Sequence, residues 1–285
     1  MWVGGVPALS GRQVSPTPPA TAPAGHSPRR PQPPPATAPA GHTPSATAAA
    51  GHSRRRPHNR SPWADQAQPQ IFRLTNYYVG PVPTATLREY QPKDLSDLYD
   101  VCIRTGDSGE DATGKYERPQ LLGDIYVGPY VHFEPELAFV LDAGERAVGY
   151  VLGTANTEAF VRRYQEEWLP RLAGRYPGPP TELVTNDDRL LDVFYHPERM
   201  LSPETASYPA HLHIDILPPY QGAGNGRRLM EAFLDAAAGA GAQAVHLGVS
   251  LTNLRAQGFY RRLGFHEIDV AGVRRALVFG RSTAR

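Results

Sequence analysis

Cysteine is almost missing from this chain: among its 285 residues only Cys102 is present. An internal disulfide is therefore excluded. A nucleophilic role for Cys102 would need a histidine and a third orienting group beside it. Its sequence surroundings supply neither, and its apolar helical pattern reads as a small buried residue. Long hydrophobic runs are missing as well. No stretch approaches the roughly 18 apolar residues of a membrane span, and the N-terminal residues lack the basic and hydrophobic regions of a secretory leader. A soluble, cytoplasmic protein with no membrane partner is expected.

Aliphatic bulk is scarce in residues 1–70, which are dominated by Pro, Ala, Thr, Ser, Gly and His. The block Pro-Pro-Ala-Thr-Ala-Pro-Ala-Gly-His at 18–26 recurs at 34–42, and a shorter echo ends at His52. Such a segment cannot bury enough apolar surface to offset its ordering entropy, so a disordered tail is expected over 1–70. Its seven arginines face a single acid, Asp65, while the whole chain carries only +1; residues 71–285 are thus net acidic. An arginine arm for nucleic acid or an acidic partner is one reading of the tail. A plain alanine-proline extension is the preferred one, and a nucleic-acid partner is not expected. The Gly-His repeats stand too far apart in sequence for a structural metal site, and no metal is expected.

From Ile71 onward the chain reads as one α/β domain. A short strand at Thr86–Glu89 precedes a helix with apolar spacing over Leu95–Ile103. Residues 104–133 read as a long loop with one short helix, a length that points to function. Leu137–Leu141 and Ala147–Thr154 form a hairpin. An amphipathic helix over Thr157–Arg171 places Phe160, Tyr164, Trp168 and Leu172 on one core-facing stripe. Residues 173–208 show prolines and little periodicity. The strand His211–Leu217 follows, then a glycine turn, a helix Arg227–Ala238, a strand Ala244–Val249, a helix Leu254–Leu263, and closing strands near His266–Val270 and Arg275–Phe279. A central mixed sheet with helices on both sides is expected.

The chemistry concentrates between Ile214 and Phe265. Gly222, Gly224 and Gly226 let the backbone turn with bare N–H groups, and the helix that opens there adds its positive dipole end, a cradle for phosphate or pyrophosphate. No lysine follows Gly226, which removes the G-x-x-x-x-G-K-[ST] phosphate loop. The glycine spacing is not G-x-G-x-x-G, and the strand Ala244–Val249 ends without the acid of a dinucleotide fold. The pattern Gln221-x-x-Gly224-x-Gly226, followed by Asn253, Ala256, Tyr260 and Gly264-Phe265, instead resembles the two ordered motifs of the GNAT (Gcn5-related N-acetyltransferase) superfamily. Upstream, Val101–Gly106, Leu121–Asp124, Tyr126–Gly128, Phe139–Leu141, Gly149–Thr154 and Val278–Ser282 resemble the acetyltransferase-like C-terminal domain of O-GlcNAcases and its free-standing bacterial relatives. The similarity covers about 75–285. It includes no glycosidase domain, so hydrolysis, which needs two carboxylates flanking a sugar pocket, is not carried over.

The resemblance implies a GNAT fold: a mostly antiparallel twisted sheet flanked by helices, with a splayed strand pair at an acetyl-CoA site. It implies acetyl-CoA as cosubstrate and an amine as acceptor, with a homodimer left open. It places the Ile214 N–H on the thioester carbonyl and the Ile216 backbone on the pantetheine arm. The cofactor-binding set is Ile214, Ile216, Leu217, Gln221, Gly222, Ala223, Gly224, Asn225, Gly226, Arg227, Asn253, Phe259 and Tyr260. Tyr260, five residues before Phe265, matches the family's tyrosine general acid. The family's glutamate base falls on Ala210, which accepts no proton. Asp215, His213 and His211 share one strand face and are substitutes, as are Asp107, Glu110, Asp111 and Asp124 from the long loop; Asp215 or a histidine working through water is preferred. Asp215, His213 and Tyr260 are thus the catalytic candidates. The competing reading is a catalytically weak or inactive acetyl-CoA-binding module.

Overall fold

A computed structural model describes residues 83–284. The tail expected over 1–70 lies outside the described residues. A seven-stranded sheet runs in the order β1-β2-β3-β4-β5-β7-β6, built from β1 (Thr86–Glu89), β2 (Phe139–Asp142), β3 (Ala147–Thr154), β4 (Ala210–Ile216), β5 (Ala244–Ser250), β6 (His266–Ile268) and β7 (Ala276–Ser282). Every neighbouring pair is antiparallel except β4 with β5. All eight residues of β3 are buried, the mark of a central strand covered on both faces.

The helices are α1 (Leu95–Arg104), α2 (Gln120–Tyr126), α3 (Gly128–Phe133), α4 (Thr157–Arg163), α5 (Leu169–Leu172), α6 (Asn186–Tyr195), α7 (Asn225–Gly239) and α8 (Leu254–Arg262). None of the described helices is long and apolar enough to cross a membrane. Three departures from the sequence-based expectation matter. The segment 104–133 holds two helices, α2 and α3, rather than one. The helix expected over Thr157–Arg171 is continuous but widens into a π-helical stretch at Tyr164–Trp168. Pro170 lies just beyond it and has no N–H to return to the preceding turn. Its stripe is core as expected, with Phe160, Tyr164, Trp168 and Leu172 all buried. Third, α6 lies inside a segment read as irregular. It starts at a capping box in which the Thr185 hydroxyl accepts from the Asp188 N–H and the Asp188 carboxylate accepts from the Thr185 N–H.

Cys102 is fully buried on α1, and burial pushes its thiol up. Asp124, one of the loop acids, is a buried hub. It accepts from the hydroxyls of Tyr99 at 2.6 Å and Tyr176 at 2.5 Å and from Arg175 at 3.3 Å. Those bonds tie α1 to α2, and they occupy the carboxylate.

Candidate active site

The site begins where two strands part. β4 and β5 pair in parallel at only Ala210↔Val245 and His211↔His246, so β5 leaves β4 for the rest of its length. On its other side β4 pairs with β3 as far as Ile216, and the Leu217 N–H continues that ladder to the Val148 carbonyl at 2.9 Å. Antiparallel ladders bond alternate residues. Residues 211, 213, 215 and 217 therefore turn their peptide groups to β3; 212 turns its own to the last of the β5 pairing, and 214 and 216 turn theirs into the gap. The backbones of Ile214 and Ile216 face the cleft, while their side chains pack as ordinary core or near-core residues. The Ile216 carbonyl is held by the Gln221 side-chain amide at 2.6 Å, which leaves its N–H as the open group.

The far end of β4 runs through Leu217 into the glycine turn. Gly222 and Gly224 take φ of 88° and 79°, left-handed values that favour glycine. A Cβ on either would meet nothing within 4 Å, so the backbone lies open on that side. Gly224 caps α7. Among the described residues, the N–H groups of Gly222, Ala223, Gly224, Asn225 and Gly226 donate to no backbone carbonyl. Asn225 braces the turn by donating to the Tyr220 carbonyl at 2.9 Å. Gly226 permits a close approach: a Cβ there would come within 3.1 Å of the Phe259 ring, which seats Phe259 of α8 against the first turn of α7. Arg227 is exposed and pairs with Glu231. Bare amides, a helix dipole and open space fit a pyrophosphate, and the unpaired edge of β4 leads from it into the sheet.

α8 forms the other wall. Asn253 caps it by accepting from the Ala256 N–H at 3.0 Å, and a Cβ on Gly109 would lie 3.1 Å from its amide nitrogen, so the loop after α1 reaches the head of α8. Tyr260 is buried, packed edge-on to Phe265 with centroids 5.5 Å apart. Burial first, and the charge of Asp215 second, raise its phenol above the ordinary range. Asp215 is buried and accepts from the Tyr150 hydroxyl at 2.7 Å; burial pushes its carboxyl up.

β4 and β5 form a V, and at its closed end, where they still pair, lies a cavity of about 120 Å³. His211 and His213 of β4, His246 of β5 and Tyr126 and Tyr130 of α2 and α3 contribute to it. All three histidines are buried, and burial holds their imidazoles below the ordinary value, His213 down to about 3. They are neutral at pH 7. A hydrogen-bond chain sets the protons. The Thr157 hydroxyl donates to the Pro209 carbonyl at 2.8 Å and meets His211 Nδ1 at 2.8 Å, so His211 Nδ1 carries the hydrogen. His211 Nε2 then accepts from the Tyr130 hydroxyl at 2.8 Å, and Tyr130 in turn accepts from His213 Nε2 at 3.0 Å. That leaves His213 Nδ1 as a buried lone pair with no partner among the described residues. The opposite proton order would orphan a buried N–H instead, the rarer and costlier defect. Ala210 is fully buried at the closed end of the V.

A model of the acetyltransferase (GNAT) family matches residues 190–265, the interval that holds β4, the glycine turn, α7, β5 and α8. The solved structure of SsHAT is 50% identical, covers 71% of this chain and 100% of that one, and superposes with a TM-score of 0.68. The chain belongs to the GNAT acetyltransferase family. Protein O-GlcNAcase from Rattus norvegicus is 26% identical over 185 residues, and the Mus musculus protein matches equally. Those matches cover 64% of this GNAT chain but 20% of each O-GlcNAcase, so the chain spans about a fifth of the length of these curated relatives.

In this GNAT protein the cradle and the Ile214 and Ile216 backbones follow one edge, Phe259 of α8 stands against the first turn of α7, Asn253 caps α8, and Tyr260 is buried against Phe265 and Phe279. Asp215 is buried and bonded by Tyr150, and His213 lines the cavity where β4 and β5 still pair. Sequence reading missed Tyr126, Tyr130 and His246. The two tyrosines stand four apart across the α2–α3 junction, a spacing that puts two side chains on one face, inside a segment read mostly as loop.

Proposed function

We propose that this chain is an acetyl-CoA-dependent N-acetyltransferase that passes the acetyl group directly to an amine. The observation that carries the reading is the unpaired edge of β4, which runs from the glycine cradle to the closed end of the V where the cavity lies. Bound acetyl-CoA supplies an acetyl thioester whose acyl group passes to nitrogen as the CoA thiolate departs. The amides from Gly222 to Arg227 grip its pyrophosphate. Ile216, Leu217 and Gln221 guide the pantetheine arm, and the Ile214 N–H donates to the thioester carbonyl, where charge develops in the transition state. His213 Nδ1 takes the proton that the nitrogen sheds. Tyr260 gives its hydroxyl proton to the thiolate, and the charge of Asp215 keeps that phenol protonated until it is needed. Asn253 and Phe259 hold α8 against the cofactor.

Calorimetric titration with acetyl-CoA tests the cradle. Gly226→Ala asks Phe259 to give by a few tenths of an ångström and should bind acetyl-CoA within about threefold of wild type. Gly226→Glu adds bulk and negative charge beside the pyrophosphate and should abolish binding while the far-UV circular dichroism stays unchanged. Normal binding by Gly226→Glu would mean the cradle lies elsewhere. Acetyl-CoA binding with no free-thiol release across a broad amine panel would favour the binding-module reading.

A further inference from the structure

The cavity at the closed end of the V differs from a site for a cationic amine. Among the described residues that line it there is no aspartate or glutamate; its one permanently charged side chain is Arg199. Arg199 is itself held by Asp192, and His196 is held by Glu198 at 3.0 Å. The rest of the wall is mainly aliphatic and aromatic, including Ile125, Val193 and Val278, with the hydroxyl residues Ser202 and Thr205 and the neutral imidazoles of His211, His213 and His246. An ammonium group entering here would lose its water without gaining a counter-charge, and burying an unpaired charge is strongly unfavourable. A neutral nitrogen meets no such barrier. The volume of about 120 Å³ is near the roughly 150 Å³ of an apolar cavity that takes one benzene ring. Tyr126 and Tyr130 stand edge-on to His213, with ring centroids 5.4 and 5.0 Å away, so an aromatic ligand would join an existing cluster.

We propose that the ligand of this cavity, and hence the acetyl acceptor, is a weakly basic aromatic amine, uncharged at neutral pH, whose ring fills the apolar pocket and whose N–H is taken by His213 Nδ1. The assignment of the ligand as acceptor rests on the acetyl-transfer reading above; the ligand class rests on the cavity alone. The chain Pro209–Thr157–His211–Tyr130 makes those residues positioning residues, since together they hold the His213 proton on Nε2 and leave Nδ1 as an acceptor. A lysine side chain or a polyamine, protonated at pH 7, is disfavoured by the same wall.

The test is calorimetry on the full chain saturated with CoA at pH 7, with aniline and cyclohexylamine as probes: two six-membered rings, one carrying a neutral and one a protonated nitrogen. Aniline should bind at least about tenfold more tightly, the discount expected for desolvating an unpaired charge. His213→Phe keeps a ring but removes the acceptor and should weaken aniline by about three- to tenfold, one neutral hydrogen bond. CoA affinity should stay unchanged, which also shows that the variant folds. His213→Gln, which keeps an acceptor, should restore part of the loss. Equal or tighter binding of cyclohexylamine, or failure of aniline to bind wild type, overturns the proposal. If aniline binds as expected but no acetylaniline forms from acetyl-CoA, the acetyl-transfer reading fails while the ligand class stands.

Discussion

The proposed mechanism asks Tyr260 to hold a proton until the thiolate departs. Its ring is fixed by Phe265 and Phe279, with centroids 5.5 and 6.0 Å away, and its phenol is raised by burial and then by Asp215. A raised phenol stays protonated through neutral pH, so no loss of activity from Tyr260 ionisation is expected between pH 6 and 9. Tyr260→Phe keeps the ring and its packing. It should leave acetyl-CoA affinity within about twofold and lower free-thiol release at least about tenfold, the low end of what a general acid contributes. The deficit should shrink as pH falls, because the departing thiolate, with a free-thiol pKa of about 8.5, then finds its proton in solvent more readily. Turnover equal to wild type would take Tyr260 out of the mechanism.

Among the elements, the corner where β1 meets α1 is held by charge. Arg88 on β1 bonds Asp94 through both terminal nitrogens, at 2.6 and 2.8 Å, and donates its Nε–H to Asp142 on β2 at 2.7 Å. Arg88 lowers both carboxyls first and foremost, and the backbone N–H groups of Gln91 and Gly144 lower them further. Carboxyls depressed in the folded state bind fewer protons there than in the unfolded chain. Their stabilisation is therefore fully present above the unfolded value of about 3.9 and is lost as pH falls from there through the lower folded values. Arg88→Met should lower the melting temperature by about 2–4 °C at pH 7, on the order of 1 kcal/mol for a domain of this size. The difference should narrow as pH falls below about 3.9 and close only once both carboxyls are protonated in the folded state as well; a gap that does not narrow on acidification would assign the effect to the aliphatic stem of Arg88. The same scale explains what sequence reading missed. α6 carries its apolar signal in one short stretch, Leu190 to Phe194, between proline-rich flanks, and only its Thr185–Asp188 capping box advertised a helix. α2 and α3 are seven and six residues long, too short for a 3.6-residue period to stand out from a loop.

For the molecule as a whole, every described residue of the cleft and cavity lies beyond Tyr99. A fragment spanning 70–285 should therefore bind acetyl-CoA as tightly as the full chain, within about twofold in calorimetry; a loss of tenfold or more would give the N-terminal segment a part in the site. What the amino-acid sequence determined by itself is the chemistry that is local in the chain. Gly222, Gly224 and Gly226 specify a turn with bare amides because their freedom is a property of each residue, and the helix that follows is written in its own periodicity. Asn253 and Tyr260 were legible for the same reason: a cap and a position on one short helix are fixed by neighbours in sequence. The edge of β4 needed the tertiary structure, because whether a peptide group is bonded depends on the strand beside it, and only the parting of β5 after His211 leaves Ile214 and Ile216 with no strand beside them on that edge. The cavity needed it still more. Its wall is drawn from α2, α3, α6, β4, β5 and β7, and the lone pair on His213 exists because Tyr130, His211, Thr157 and Pro209, up to 83 residues away in the chain, pass one proton order along a buried line.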